Sequence, residues 1–299
     1  MSTGTSPAVP APRVAAVDVV APHHDTPEPL GRRLAFINNK GGVGKTLITA
    51  MAASGLAARG RRVLVVDMDP QANLTGRVAA EVGPNGSIGD VLARREKGGA
   101  RAAIVRCGWD SPEAQLIDVL PASLSLEDRN SEAAVPGSHQ RLNRVLYGVT
   151  DDYDYTLFDC RPALGHLEQN VVQSLEAENG DGVYIVAEPH KDAITGAQRV
   201  LAEVEEWADQ LDIDVDILGV IVNLVVSNTK LHQGRVKSIP ASLGDNAPPV
   251  LTPHIPRLTR IAEVTDLAVP MLYDPRLRRE GVVDMMKQLA AAIDVGADA

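Results

Sequence analysis

The stretch Asn39-Lys40-Gly41-Gly42-Val43-Gly44-Lys45-Thr46 gathers backbone freedom, two ammonium groups and a hydroxyl in one short segment. Its glycines let successive backbone N–H groups turn inward around phosphate oxygens, and a helix starting at Lys45 adds its positive end. Lys45 then supplies a point charge to the β- and γ-phosphates, while the Thr46 hydroxyl ligates Mg²⁺. The segment Lys40 to Thr46 therefore predicts a site for ATP·Mg²⁺. Two aspartates, Asp69 in Val65-Val66-Asp67-Met68-Asp69-Pro70 and Asp159 in Leu157-Phe158-Asp159-Cys160, follow apolar runs further along.

Such groups converge only if the chain places them at the ends of neighbouring strands. Six short apolar runs begin at Leu34, Val63, Leu116, Tyr155, Val183 and Ile217, separated by longer helical stretches. Continuous apolar runs of this kind mark parallel strands buried on both faces. Right-handed crossovers then predict an α/β fold, a doubly wound and mostly parallel sheet flanked by helices, with its ligand at the carboxyl ends of the strands. Helices are expected at Lys45 to Ala58, Ala193 to Leu211 and Val282 to Ile293. Asn85 to Gly108 reads as a peripheral helix and loop, and Asn130 to Ser138 as loop. Residues 1–30, rich in Pro, Ala, Ser and Thr, are expected to be a disordered tail ahead of one domain over 31–299.

Composition narrows the function. Aromatics make up only 3% of 299 residues, so the core must be built from Ala, Val, Leu and Ile. With 29 Lys and Arg against 39 Asp and Glu, the formal charge is −10, which confines any DNA contact to one local patch. Two cysteines, Cys107 and Cys160, are too few for a disulfide framework or a CxxC metal site, and suggest a reduced, cytoplasmic chain. No apolar run is long enough to span a membrane, and prolines with Asp18 interrupt the one candidate for a signal peptide.

Where the general Walker pattern has glycine stands Asn39, followed by Lys40 and a glycine pair. On these residues the chain resembles the deviant Walker A ATPases, the ParA/MinD superfamily, and within it the ParA partition branch, from about Arg33 to Arg279. The resemblance implies that Lys40 reaches across an ATP-sandwich dimer to the phosphates held by the other subunit. It implies that Asp69 positions the attacking water and contacts the Mg²⁺ shell, and that Asp159 holds Mg²⁺. The catalytic set would be Lys40, Lys45 and Asp69, the metal set Thr46, Asp69 and Asp159. Nucleotide contacts would run from Lys40 through Gly41, Gly42, Val43, Gly44, Lys45 and Thr46 to Leu47, with Asn223 and Pro256 at the base. Two positions depart from the pattern. Leu47 replaces a second threonine, and Arg161 replaces a proline, either touching phosphate or the partner subunit, or pointing into solvent.

The ParA branch also implies non-specific DNA binding by the ATP dimer, for which Lys230, Arg235, Lys237, Arg257 and Arg260 are the candidates. Hydrolysis would be slow until stimulated by a ParB-like centromere-binding partner, which the N-terminal tail could contact. The ATP form would associate with the nucleoid. A MinD-like anchor is disfavoured because the end of the chain carries Asp294 and Asp298 and lacks a basic helix face. The rival readings are a ParA-like ATPase that positions a protein cargo and a small-molecule ligase of the same superfamily, which normally lacks Lys40.

Overall fold

The computed structural model describes residues 31–226, 230–244 and 247–294, so the predicted N-terminal tail and Asp298 lie outside the described residues. Strand β1 (Arg32–Ile37) leads into α1 (Lys45–Ala58), β2 (Val63–Met68) and the short α2 (Asn73–Arg77). Helix α3 (Ile88–Arg94) precedes β3 (Val105–Arg106), β4 (Ile117–Leu120), α4 (Ser125–Asn130) and α5 (Arg141–Leu146). Next come β5 (Tyr155–Cys160), α6 (His166–Gln173), β6 (Gly182–Ala187) and α7 (Lys191–Leu211). The chain continues through β7 (Asp216–Val222), α8 (Lys230–Leu243), β8 (Val250–Leu251), α9 (Thr259–Asp266), α10 (Pro275–Arg279) and α11 (Val282–Ile293).

These strands form one eight-stranded sheet in the order β3-β4-β2-β5-β1-β6-β7-β8. Every pairing is parallel except β3 with β4. Alternation along each strand feeds two cores. Leu34 and Phe36 face one, with α1 and α11, while Ala35 and Ile37 face the other, with α5, α6 and α7. The six predicted apolar runs became β1, β2, β4, β5, β6 and β7, each to within two residues at either end. The two strands not foreseen, β3 and β8, are two residues long and sit at the sheet's edges, where pairing rather than an apolar run defines them.

Helix α1 is buried along nearly its whole length, which is why it carries almost no charge after Lys45. It crosses α11 at Gly55, where an added Cβ would lie 2.7 Å from Ala290 Cβ and 3.0 Å from Met286 O. Just past α11 stands Asp294, which the sequence presents as an acidic tail residue but the fold buries to 3% exposure. Its carboxylate accepts from Arg59 Nε at 2.8 Å, Arg61 Nε at 3.1 Å and Tyr155 Oη at 2.7 Å, tying the last helix to the end of α1 and the start of β5.

Burial alone would raise the Asp294 carboxyl, but the Arg59, Tyr155 and Arg61 contacts outweigh it and hold the pKa below its ordinary value. A depressed carboxyl stabilises the fold above its unfolded pKa of about 3.9 and loses that contribution as pH falls through the folded value. Asp294→Ala is therefore expected to cost about 1.5–3 kcal/mol, the range for hydrogen bonds to a charged group. The loss should be constant from pH 5 to 8 and shrink below about pH 4. Urea unfolding at pH 7 and pH 3.5 checks this, and an equal loss at both would refute the ionic origin.

Candidate nucleotide site

Strand β1 hands the chain to the glycine loop at Asn38, a fully buried residue that the sequence does not single out. Its Nδ2 donates to Val186 O on β6 at 2.7 Å, and its Oδ1 accepts from Lys40 N at 2.8 Å. One amide thus anchors the loop's first turn to the neighbouring strand. Gly42 and Gly44 take φ of 79° and 89°, left-handed values that favour glycine. At Gly44 the demand is double, since a Cβ there would fall 2.1 Å from Asn223 Nδ2. That nitrogen donates to Val43 O at 2.8 Å, so Asn223, at the end of β7, braces the loop from behind. Asn223 Oδ1 is buried and has no hydrogen-bond partner.

The two lysines face different surroundings. Lys45 is buried, with Nζ donating to Lys40 O at 3.3 Å. Burial pushes its pKa down, and the negative charge of Asp159, Asp69 and Glu168 opposes that fall. Lys40 has a side chain 38% exposed, with Nζ 3.9 Å from Glu188 Oε2. Beside it a recess of about 430 Å³ opens between Asn39, Lys40 and the α7 residues Thr195, Gly196 and Arg199.

Asp67 and Asp159 are register partners on β2 and β5, and both are fully buried. Asp67 has its oxygens occupied. Oδ2 accepts from Thr75 N and Thr75 Oγ1, each at 2.8 Å, and Oδ1 accepts from Asp69 N at 3.1 Å. Burial still lifts it to about 6, against those hydrogen bonds. Neither oxygen of Asp159 has a partner in hydrogen-bond geometry. Burial first, then the Asp67 charge, lifts it to about 8, while Thr46 and Lys45 pull the other way. Asp69 is half-buried and its Oδ1 accepts from Gln71 N at 3.0 Å, which shapes the turn into α2. Lys45, Thr46, Asp69 and Asp159 thus gather at the carboxyl ends of β1, β2 and β5, as a phosphate and cation site requires.

A family model described as an AAA domain matches residues 31–217. The chain is 30% identical over 278 residues to the sporulation initiation inhibitor protein Soj of Bacillus subtilis, covering 88% of this chain and 99% of Soj. It is 29% identical over 248 residues to the chromosome partitioning protein ParA of Caulobacter vibrioides, covering 81% of this chain and 87% of that one. The chain belongs to the ParA/MinD family of P-loop ATPases. Among solved structures it is similar to the cobyrinic acid a,c-diamide synthase of Mycobacterium smegmatis with bound ADP and magnesium. That match has 28% identity and a TM-score of 0.65, and covers 86% of this chain and 98% of the other.

As a ParA/MinD-type enzyme the chain hydrolyses ATP and works with Mg²⁺. The residues present fit that cation. Two fully buried carboxylate oxygens on Asp159 without hydrogen-bond partners, beside a second carboxylate, form a spot that a cation would stabilise, with the Lys45 charge as the protein's own partial counterweight. Mg²⁺ takes oxygen ligands and keeps waters and substrate phosphates in its shell, so one carboxylate and the Thr46 hydroxyl suffice on the protein side. Correspondingly, no group of three or more His, Cys, Asp or Glu poised for a metal occurs among the described residues.

Leu47 and Arg161, the two departures from the ParA pattern, have distinct outcomes. Leu47 is buried and joins the core packed around α1. Arg161 does not point into solvent. Its Nε donates to Glu168 Oε1 at 3.0 Å, and its Nη2 donates to Asn130 Oδ1 at 2.6 Å. The Glu168 carboxylate, with no exposed side-chain surface, also accepts from Gly165 N at 3.0 Å. The guanidinium therefore turns inward, because Glu168 of α6 is a buried charge that needs it. The adjoining Pro162 stands over the loop, 3.7 Å from where a Cβ on Gly41 would be.

Three of the candidate DNA residues make polar contacts within the protein. Arg257 donates to Glu188 Oε1 at 2.5 Å, next to Lys40, and Arg260 pairs with Glu280 at 2.7 Å. Arg235 Nη1 lies 3.4 Å from both Pro189 O and His190 Nδ1. Lys237 is exposed on α8, and the Lys230 side chain lies outside the described residues. Pro256 bridges Val225, beyond Asn223, so the two residues expected at the base stand on adjoining segments. Among the described residues no helix is long and apolar enough to cross a membrane.

Proposed function

We propose that this chain is a ParA-type partition ATPase: it dimerises around two ATP molecules, binds DNA non-specifically in that state, and segregates DNA with a ParB-like partner. The observation that carries the reading is the divergence of its two lysines. Lys45 is buried inside its own loop, whereas Lys40 stands part-exposed at the rim, paired with Glu188 at 3.9 Å and available to a nucleotide held by a second copy.

In this reading the loop N–H groups and Lys45 hold the phosphates, Thr46 and Asp159 hold the cation, and Asp69 orients water. Bound Mg²⁺ would neutralise phosphate charge as it builds at the leaving oxygen. Lys40 exchanges Glu188 for the partner's phosphates on closure, and Asn223 Oδ1 accepts from the amino group of the base beside Pro256. Closure brings the basic residues of two subunits together, with Arg235, Lys237, Arg257 and Arg260 as the first to test. The protein acts in the cytoplasm, on the nucleoid in its ATP form, and the tail over residues 1–30 is a contact for the partner.

Anisotropy of a random-sequence duplex, titrated with protein at about 0.1 M salt, tests the model. ATP·Mg²⁺ should support binding that ADP·Mg²⁺ does not, that Lys40→Ala abolishes, and that falls steeply with salt. No binding in any nucleotide state sinks the DNA reading. It would leave an ATP switch with a protein cargo, or a small-molecule ligase like the structurally similar synthase, although Lys40 speaks against the latter.

A further inference from the structure

A cleft of about 700 Å³ opens on the α5 and α6 side of the sheet, lined by Arg95, Lys97, Arg141, Arg144, Tyr147 and Gln173 among others. Its floor reaches toward the amino ends of the strands, where Arg33 near the start of β1 donates to Asn143 Oδ1 at 3.4 Å, and Asn143 lines the cleft. The residues lining it include four cationic side chains and no carboxylate, in a protein of net charge −10.

Its inner wall is built for an anion. Arg141 is only 6% exposed; its Nη1 pairs with Glu132, while Nη2 is buried with no partner. Glu132 also serves Arg129, whose Nη2 lies 3.8 Å from the exposed Asp128 as well, so Arg141 shares its one carboxylate. Burial, then the charges of Arg95 and Arg129, hold the Arg141 pKa below its ordinary value. At the rim, Lys97 Nζ sits 3.5 Å from the ring centroid of Tyr147, an aromatic side chain left 61% exposed.

We propose that this cleft binds a phosphorylated ligand of nucleotide size, with its phosphates toward Arg141 and a planar ring against Tyr147. Guanidinium forks match phosphate oxygens in pairs, and exposed aromatic faces accept stacked rings. The volume falls within the range of small-molecule sites. A DNA duplex would touch the exposed rim, Arg95, Lys97 and Arg144, but could not bring a phosphate to the buried Arg141. The proposal is independent of partition activity.

Calorimetric titration of inorganic tripolyphosphate into full-length protein already saturated with ADP·Mg²⁺ tests it, because the P-loop is then occupied. One site is expected, weakened about tenfold or more by Lys97→Ala combined with Arg144→Ala, since each removed cation contributes a charge-assisted contact. Those residues lie outside the P-loop, so unchanged ADP affinity certifies a folded variant. The absence of a second site, or equal affinity in the double variant, overturns the proposal. Equal binding of a glutamate oligopeptide of matched charge would overturn it in favour of an acidic segment. A duplex that binds through Lys97 and Arg144 where tripolyphosphate does not would make the cleft a nucleic-acid face.

Discussion

Arg161→Ala is expected to lower unfolding stability by about 3–5 kcal/mol, the range for stripping the partner from a buried charge. Glu168 is the charge at risk. Burial already raises its pKa, and Arg161 is the main influence pulling it back down. Without the guanidinium, Glu168 must either stay ionised and unpaired or take up a proton. A carboxyl whose folded pKa is raised costs stability above its unfolded value of about 4.3 and costs nothing below it. The penalty of Arg161→Ala should therefore be larger at pH 8 than at pH 5.

Adding Glu168→Gln to Arg161→Ala removes the charge and should recover much of the loss and abolish the pH dependence. Urea unfolding of the two single variants and the double variant at both pH values decides this. A loss under about 1 kcal/mol, the range of an exposed pair, would mean that Arg161 is in practice solvated. The same variant bears on function, because the segment from Arg161 to Gly165 lies against the P-loop through Pro162. Losing the tie to α6 should loosen the approach of Pro162 to Gly41.

The P-loop was legible because its chemistry is local. Glycines, Lys45 and Thr46 stand in one string, and the flanking apolar runs announce strand and helix. The sheet was legible for a related reason, since strands buried on both faces leave uninterrupted apolar runs such as Val63 to Val66. Partners distant in sequence were not legible. Asn223 braces Val43 across 180 residues, Arg161 finds Asn130 in a region read as loop, and Asp294 finds Arg59 across 235 residues. Nothing in the local sequence distinguishes these side chains from solvated ones. Asp67 is hidden beside Asp69 for a different reason. In a strand buried on both faces the polar member of Val66-Asp67-Met68 needs a buried partner, and the hydroxyl of Thr75 was that signal. Short elements such as β3 and β8 carry too few residues for any period to show.

Asp159→Asn is expected to move stability in opposite directions with and without ligand. In the free protein the wild-type carboxylate is fully buried, has no hydrogen-bond partner and neighbours Asp67. With its pKa lifted to about 8, folding at neutral pH must either take up a proton at Asp159 or bury an unpaired charge, so a neutral isostere should raise stability by about 1.4 kcal/mol or more, the free energy of a tenfold change in a protonation equilibrium. Ligand reverses the order. Nucleotide with Mg²⁺ at a hundred times its dissociation constant stabilises a protein by about 2.7 kcal/mol. The variant should forfeit most of the Mg²⁺-dependent part, because it loses the anionic oxygen that holds the cation. Thermal unfolding with EDTA, with ATP and EDTA, and with ATP·Mg²⁺ separates these terms, provided hydrolysis is slow over the scan. Wild type should melt below Asp159→Asn in EDTA and above it in ATP·Mg²⁺. If the variant melts lower in every condition, the carboxylate is a structural group and the cation lies elsewhere. If it melts higher in every condition, Asp159 contributes nothing to holding Mg²⁺, and Thr46 and Asp69 must carry that role.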